Sequence, residues 1–190
     1  MPKQVDRAER RQNIVDATIR ILVNGGMESL TMRSVAAEAS ATIGMLNYWF
    51  NSKEDLVTAA LEQVIAAELD FDIETSLKTV KAFEKRLHSF LPLDEERVEH
   101  QIVWGAFEDM VMKDEKLRQY YIDQYELFRS LLKQTFKQLA KPKIDIELGV
   151  DHVLATIDGI SGSALFEPGR WTPARQKKVL RQTLVLYFDI

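Results

Sequence analysis

Seven residues near the N-terminus, Thr42, Ile43, Gly44, Met45, Asn47, Tyr48 and Trp49, form an unusual set for a stretch that would face solvent. They carry a hydroxyl, an amide, a phenol, an indole and several apolar groups, but no charge. A solvated helix face is normally charged or polar. Hydroxyls and amides bond phosphates and base edges, and apolar groups pack on thymine methyls, so the available chemistry is recognition of a DNA groove. The competing reading is a helix packed against its own protein. Arg33 and Lys53 flank the set. Arg33 can reach a base edge or a phosphate, and Lys53 sits where a helix dipole disfavours a cation unless a phosphate compensates.

The spacing of apolar residues indicates what would position these groups. Val35, Ala36 and Ala39 make a stripe on one short helix, and Leu46 and Phe50 make a stripe on a second. Ser40-Ala41-Thr42 between them is too short for anything but a sharp reversal, and the small Ala36 permits close crossing. This is the pattern of a helix-turn-helix, whose second helix enters the major groove. Thr31 and Thr42 are suited to cap the two helices. Gly44 weakens the second helix but permits close approach to DNA. A preceding helix is expected from about Asp6 to Asn24, after frayed residues 1–5, with Gly25-Gly26 ending it through a left-handed residue. Arg7, Arg10 and Arg11 near its start suit either a solvated end or phosphate contact. Ser52 is placed to cap a fourth helix running to about residue 70.

The phrases T-M-R-S-V-A-x-x-A and T-x-G-x-L-x-x-x-F-x-S-K-E-x-L resemble the DNA-binding domain of the TetR family of bacterial repressors, over roughly residues 7 to 60. The resemblance implies a cytoplasmic, nucleoid-associated bacterial regulator that binds palindromic operator DNA as a homodimer and is released by a small-molecule effector. Two positions depart from the family pattern. Ser40 stands where the family usually has Gly, which costs on the order of 1 kcal/mol at positive φ. Asn47 stands where the family usually has Tyr.

Beyond residue 53 the pattern is helical throughout: 73–90, 95–112, 115–139, 146–165 and 173–188, with Pro92, Lys113-Asp114, Lys141-Pro142-Lys143 and Glu167-Pro168-Gly169-Arg170 as breaks. The expected fold is all-α, about nine helices, with a three-helix DNA-binding domain over 1–53 and a helical effector-binding and dimerisation domain over 54–190. The last two helices are apolar on more than one face, and Gly159, Ser161, Gly162 and Ser163 allow close packing. They suit either a buried central helix or a four-helix bundle shared by two copies. The family uses its last two helices in the second way, and segment 155–165 resembles the BetI type of choline-responsive repressor.

Of three Trp, five Tyr and nine Phe, only Tyr48, Trp49 and Phe50 lie within residues 1–53. Trp104, Phe107, Tyr121, Tyr125 and Phe128, near Glu108 and Asp109, are either core or the lining of a pocket for an apolar, aromatic or cationic effector. Asp158, in an otherwise apolar helix, is either a satisfied carboxylate or a ligand group. No cofactor and no metal site is expected: Glu96 and His100 at i, i+4 supply only half a metal site. The chain lacks a phosphate-binding Gly-rich loop and a nucleophile elbow. A small helical enzyme or a helical adaptor therefore accounts less well for residues 42–49 than a DNA reader does.

Composition agrees with a globular protein, 46% hydrophobic and 28% charged, with no cysteine and hence no disulfide or thiolate chemistry. MPKQVDRAERRQ has no apolar run of a signal peptide, and no stretch is long enough to span a membrane. Residues 1–53 hold seven Lys/Arg and five Asp/Glu, so a slightly basic head precedes the rest of a chain whose net charge is −4. Phosphate attraction acts within about 8–10 Å, so a local excess suffices.

Overall fold

The computed structural model describes residues 2–69 and 78–190. Within them the chain forms nine α-helices and one 3₁₀ turn, and no strand. The helices are α1 (Pro2–Ser29), α2 (Met32–Glu38), α3 (Ile43–Trp49), α4 (Lys53–Leu69), α5 (Val80–Leu87), α6 (Glu95–Val111), α7 (Glu115–Leu139), α8 (Ile146–Phe166) and α9 (Pro173–Tyr187), with the 3₁₀ turn at His88–Phe90.

Side-chain caps explain most of the starts. Thr31 accepts from the Ser34 N–H and Ser34 reaches back to the Thr31 N–H, a reciprocal capping box. Ser52 Oγ accepts from the Asp55 N–H at 3.1 Å while Asp55 accepts from the Asn51 N–H at 2.8 Å. Thr79, Asp94, Asp145 and Thr172 cap α5, α6, α8 and α9 in the same manner.

Two boundaries differ from the sequence expectation. Helix α1 begins at Pro2 rather than about Asp6, and runs to Ser29 across a kink at Gly26, whose φ of 63° and ψ of −170° are not helical. Glycine adopts that conformation without a Cβ penalty, so the expected stop is local and a further helical turn succeeds it. The helix expected over 73–90 begins instead at Val80, because Thr79 is extended (φ −146°, ψ 152°) and turns its hydroxyl into the cap of α5. The expected residues 73–77 lie outside the described ones.

The chain forms two compact units. The first comprises residues up to 69 together with 102–114. In it α1 packs on α2 and on α4, and α2 packs on α3. Its buried side chains include Ile14, Val35, Ala36, Leu46, Phe50, Leu56 and Leu61, so both expected apolar stripes face inward. Of the described residues, the second unit comprises 78–101 and 115–190. Helix α8 packs between α7 and α9 there. The core of this unit joins Phe83, Leu87, Leu132, Phe136, Val153, Ile157, Leu180, Leu184 and Phe188.

Candidate DNA interface and effector-responsive body

Helix α3 is only seven residues long, too short to persist without support at its ends. Thr42 supplies one end, accepting from the Met45 N–H at 3.1 Å. Leu46 and Phe50 anchor the inner side, at 0% and 3% exposure. Thr42, Ile43, Gly44, Asn47 and Tyr48 are exposed, and Tyr48 is 67% exposed despite its ring. Met45 and Trp49, expected to face outward, are half-buried. They lie beside the anchored stripe, and the Trp49 ring meets Tyr48 edge-on at 5.0 Å. Trp49 therefore props Tyr48 while keeping one side open.

The α2–α3 reversal is a Schellman turn. The Ala41 N–H donates to the Ala36 carbonyl at 2.8 Å and the Ser40 N–H to the Ala37 carbonyl at 3.1 Å. Ser40 takes the left-handed conformation, φ 51°, in the place where glycine would be unstrained. The N-terminal ends of α2 and α3 meet at an open groove of about 450 Å³ lined by Thr31, Met32, Arg33 and Ile43. Arg33 and Lys53 are exposed, and neither forms an ion pair among the described residues. Arg11 is different: it sits 3.9 Å from Glu62 and over the Phe50 ring at 5.4 Å, so α1 and its neighbours already employ it.

The expected effector residues fall into two sets. Trp104, Phe107 and Glu108 share α6 and belong to the first unit, where Phe107 is fully buried, Trp104 half-buried and Glu108 exposed. Tyr121, Tyr125, Phe128 and Asp158 belong to the second unit. The Tyr121 and Tyr125 rings stack at 4.5 Å, and the Tyr125 hydroxyl donates to Asp158 Oδ1 at 3.1 Å. Desolvation and the neighbouring carboxylate both push the Tyr125 phenol up, so it stays a donor. Asp158 faces solvent in part, yet desolvation of its carboxyl raises its pKa against the opposing pull of Tyr125 and Arg129. Asp158 thus has a hydrogen-bond partner within the chain, the Tyr125 hydroxyl.

That pair is one rung of a polar seam along the antiparallel helices α7 and α8, continued by Arg129–Asp151 at 3.4 Å and Lys133–Glu147 at 2.7 Å. Sequence reasoning missed Phe90 and Arg86. Phe90 meets Phe128 edge-on at 5.0 Å, and the Arg86 guanidinium lies over the Phe90 ring at 4.7 Å. Their distance along the chain from Phe128 leaves no periodic signal. Among the described residues no group of three or more His, Asp or Glu could hold a metal ion, and no helix is long and apolar enough to cross a membrane.

A capped short helix with an exposed uncharged face, backed by a second helix and followed by a helical body, defines a helix-turn-helix transcriptional regulator. Residues 14–60 match the model of bacterial regulatory proteins of the TetR family, and residues 81–188 match that of the BetI-type transcriptional repressor C-terminal domain. The chain belongs to the TetR family, with a C-terminal domain of the BetI type. It is similar to the regulator PksA of Bacillus subtilis, 28% identical over 96% of this chain and 91% of that one. The regulator BetI of Rhizobium meliloti is 26% identical over 84% and 80% of the two chains. Among solved structures, a transcriptional regulator from Saccharomonospora viridis in complex with choline superposes with a TM-score of 0.85 at 17% identity, covering 96% of this chain and all of that one (100%). A regulator from Rhodococcus sp. Rha1 gives 0.84 at 22% identity over 92% and 94%. These likenesses and the family make the protein a transcriptional regulator and not an enzyme, with DNA and a small-molecule ligand as the partners of its class.

Proposed function

We propose that the protein is a homodimeric repressor that presents one α3 to each half of a palindromic operator in successive major grooves. The observation that carries this reading is the exposed, uncharged face of α3 beside the groove of Thr31, Met32, Arg33 and Ile43. In this reading Thr42, Ile43, Gly44, Met45, Asn47, Tyr48 and Trp49 meet bases and sugars, and Thr31, Arg33 and Lys53 meet phosphates. Residues 1–53 serve as the reading domain and 54–190 as the effector-binding and dimerisation domain. The protein works in the bacterial cytoplasm, at the nucleoid.

Dimerisation through α8 and α9 is supported by apolar side chains left on their outer faces. Leu148 is 66% exposed and Phe166 87%, with Val185 and Leu186 also uncovered. Large apolar side chains left to water favour burial against a second copy. Of the residues expected to take the effector, the set within the second unit, Tyr121, Tyr125, Phe128 and Asp158, supports an effector site, since its rings and carboxylate suit an apolar, aromatic or cationic molecule, whereas Phe107 is fully buried in the first unit. Choline, bound by the similarly folded Saccharomonospora regulator, is the first compound to try, and its quaternary ammonium suits ring faces. Effector binding then tilts α4 and alters the spacing of the two readers, for which a coupling of roughly 1–3 kcal/mol is enough.

A gel shift on DNA upstream of the protein's own gene tests the reading. Lys53→Ala is expected to weaken all duplexes alike and to flatten the salt dependence by about one unit, whereas Tyr48→Ala relaxes sequence preference. Equal binding by wild type and both variants would exclude α3 as the reader.

A further inference from the structure

A residue of α1, Asn13, is hydrogen-bonded to the turn that separates α2 from α3. Helix α2 ends, as every helix does, in carbonyls with no partner of its own. The Schellman pair satisfies those of Ala36 and Ala37. Ala39, 4% exposed, directly precedes the left-handed Ser40. Its carbonyl accepts from Asn13 Nδ2 at 2.9 Å, across 26 residues of sequence. Only the NH₂ end of the amide can donate to a carbonyl, so the orientation of Asn13 is fixed by its partner. A second tie between the same helices, Arg20 Nε to Glu38 Oε1 at 2.7 Å, joins two side chains that are each nearly half exposed and adds little, whereas Asn13, also exposed, meets the backbone carbonyl of a buried residue.

Only Ala39 to Thr42 lie between α2 and α3, so these few residues set the direction of α3. A change of φ and ψ at Ser40 swings the whole seven-residue helix, and a non-glycine residue at positive φ has a standing incentive to leave it. Base-edge contacts need a fixed angle of entry. Phosphate contacts position the protein but carry no sequence information.

We propose that Asn13 is a positioning residue for sequence discrimination: its amide pins the Ala39 carbonyl, holds Ser40 left-handed and so fixes the angle at which α3 enters the groove. This rests on the DNA-reading function proposed for α3. The test uses the full-length chain and two duplexes of equal length, one enriched by the wild-type protein from a random-sequence pool and one random.

Loss of a net hydrogen bond predicts that Asn13→Ala weakens binding to the enriched duplex about five- to tenfold. Affinity for the random duplex changes less than about twofold, because counterion release supplies it. Asn13→Leu, of similar size but without the donor and without an added charge, behaves alike and covers the case in which Asn13→Ala fails to fold. Adding Ser40→Gly to either variant restores discrimination, since glycine holds the turn without the clamp. Three outcomes overturn the inference alone: unchanged discrimination in both variants, a parallel loss on both duplexes, or no rescue by Ser40→Gly. A wild type that enriches no duplex overturns the DNA-reading function and this inference with it.

Discussion

Two helix pairs in this protein rely to different degrees on their ends and on their sides. Helices α2 and α3 have seven residues each and are held at their ends, by the Thr31 capping box, the Schellman turn and the Thr42 cap. Helices α8 and α9 have 21 and 15 residues and are held along their sides, through the buried cluster around Phe136, Val153, Leu184 and Phe188. The difference comes from length. A two-turn helix satisfies few of its own backbone groups, so its ends carry a large share of its stability, whereas a five-turn helix buries enough apolar surface to make its ends secondary. The pair that must change partners, from water to DNA, is the one built from local end chemistry.

The contrast can be broken from the body side first. Phe136 is 1% exposed and meets Phe188 edge-on at 4.8 Å. Phe136→Ala is expected to cost about 3–5 kcal/mol of body stability, read by denaturant unfolding. A loss below about 1 kcal/mol would mean that side-to-side packing is not what chiefly holds the body together. Next is Gly149, on the buried side of α8. A Cβ at that position would stand 2.5 Å from Phe136 Cε1 and 3.2 Å from Tyr187 Cε1. Gly149→Ala therefore overpacks, at about 1–3 kcal/mol, and is relieved in a Phe136→Leu background. Equal costs in both backgrounds would place the clash elsewhere.

On the reader side, Thr42→Ala is expected to cost about 1 kcal/mol, confined to α3. Amide hydrogen exchange should quicken in 43–49 and remain as it was in α8. Spread of the effect into α8 would show that the reader is not held locally.

The smallest effect concerns pH. Desolvation lowers the pKa of His88 below its ordinary 6.5, with Lys177 and Arg97 acting in the same direction and Glu84 against. The folded chain then binds fewer protons than the unfolded one just below pH 6.5, so stability is unaffected above that value and falls as pH drops through it. His88→Gln should flatten the thermal stability between about pH 7 and 5 relative to wild type. A steeper profile in the variant would reverse the sign.

Much of this is legible in the sequence because it is local. Thr31, Thr42, Ser52 and Asp94 reveal themselves as caps by their type and by the helix-forming residues that come after them. The stripes Val35–Ala36–Ala39 and Leu46–Phe50 reveal which side turns inward. Ser40 at positive φ is implied by the family resemblance, since the family usually has Gly at that place in the turn. Less legible is the half-burial of Trp49 and Met45, since helical periodicity assigns a face but not how far a neighbouring helix overlaps it. The start of α5 at Val80 is hidden because Ile73 and Leu77 continue the same apolar spacing upstream in the sequence.

The chain order alone therefore determined the all-helical class, the position of the reading helix and the chemistry on its exposed face, because caps, turns and 3.6-residue stripes act over a few neighbours. The tertiary structure decided which distant groups meet: Asn13 with the Ala39 carbonyl, Tyr125 with Asp158, Phe90 with Phe128. Those meetings depend on how whole helices cross, and a crossing is settled by the summed packing of side chains far apart in sequence, for which no short spacing stands as a sign.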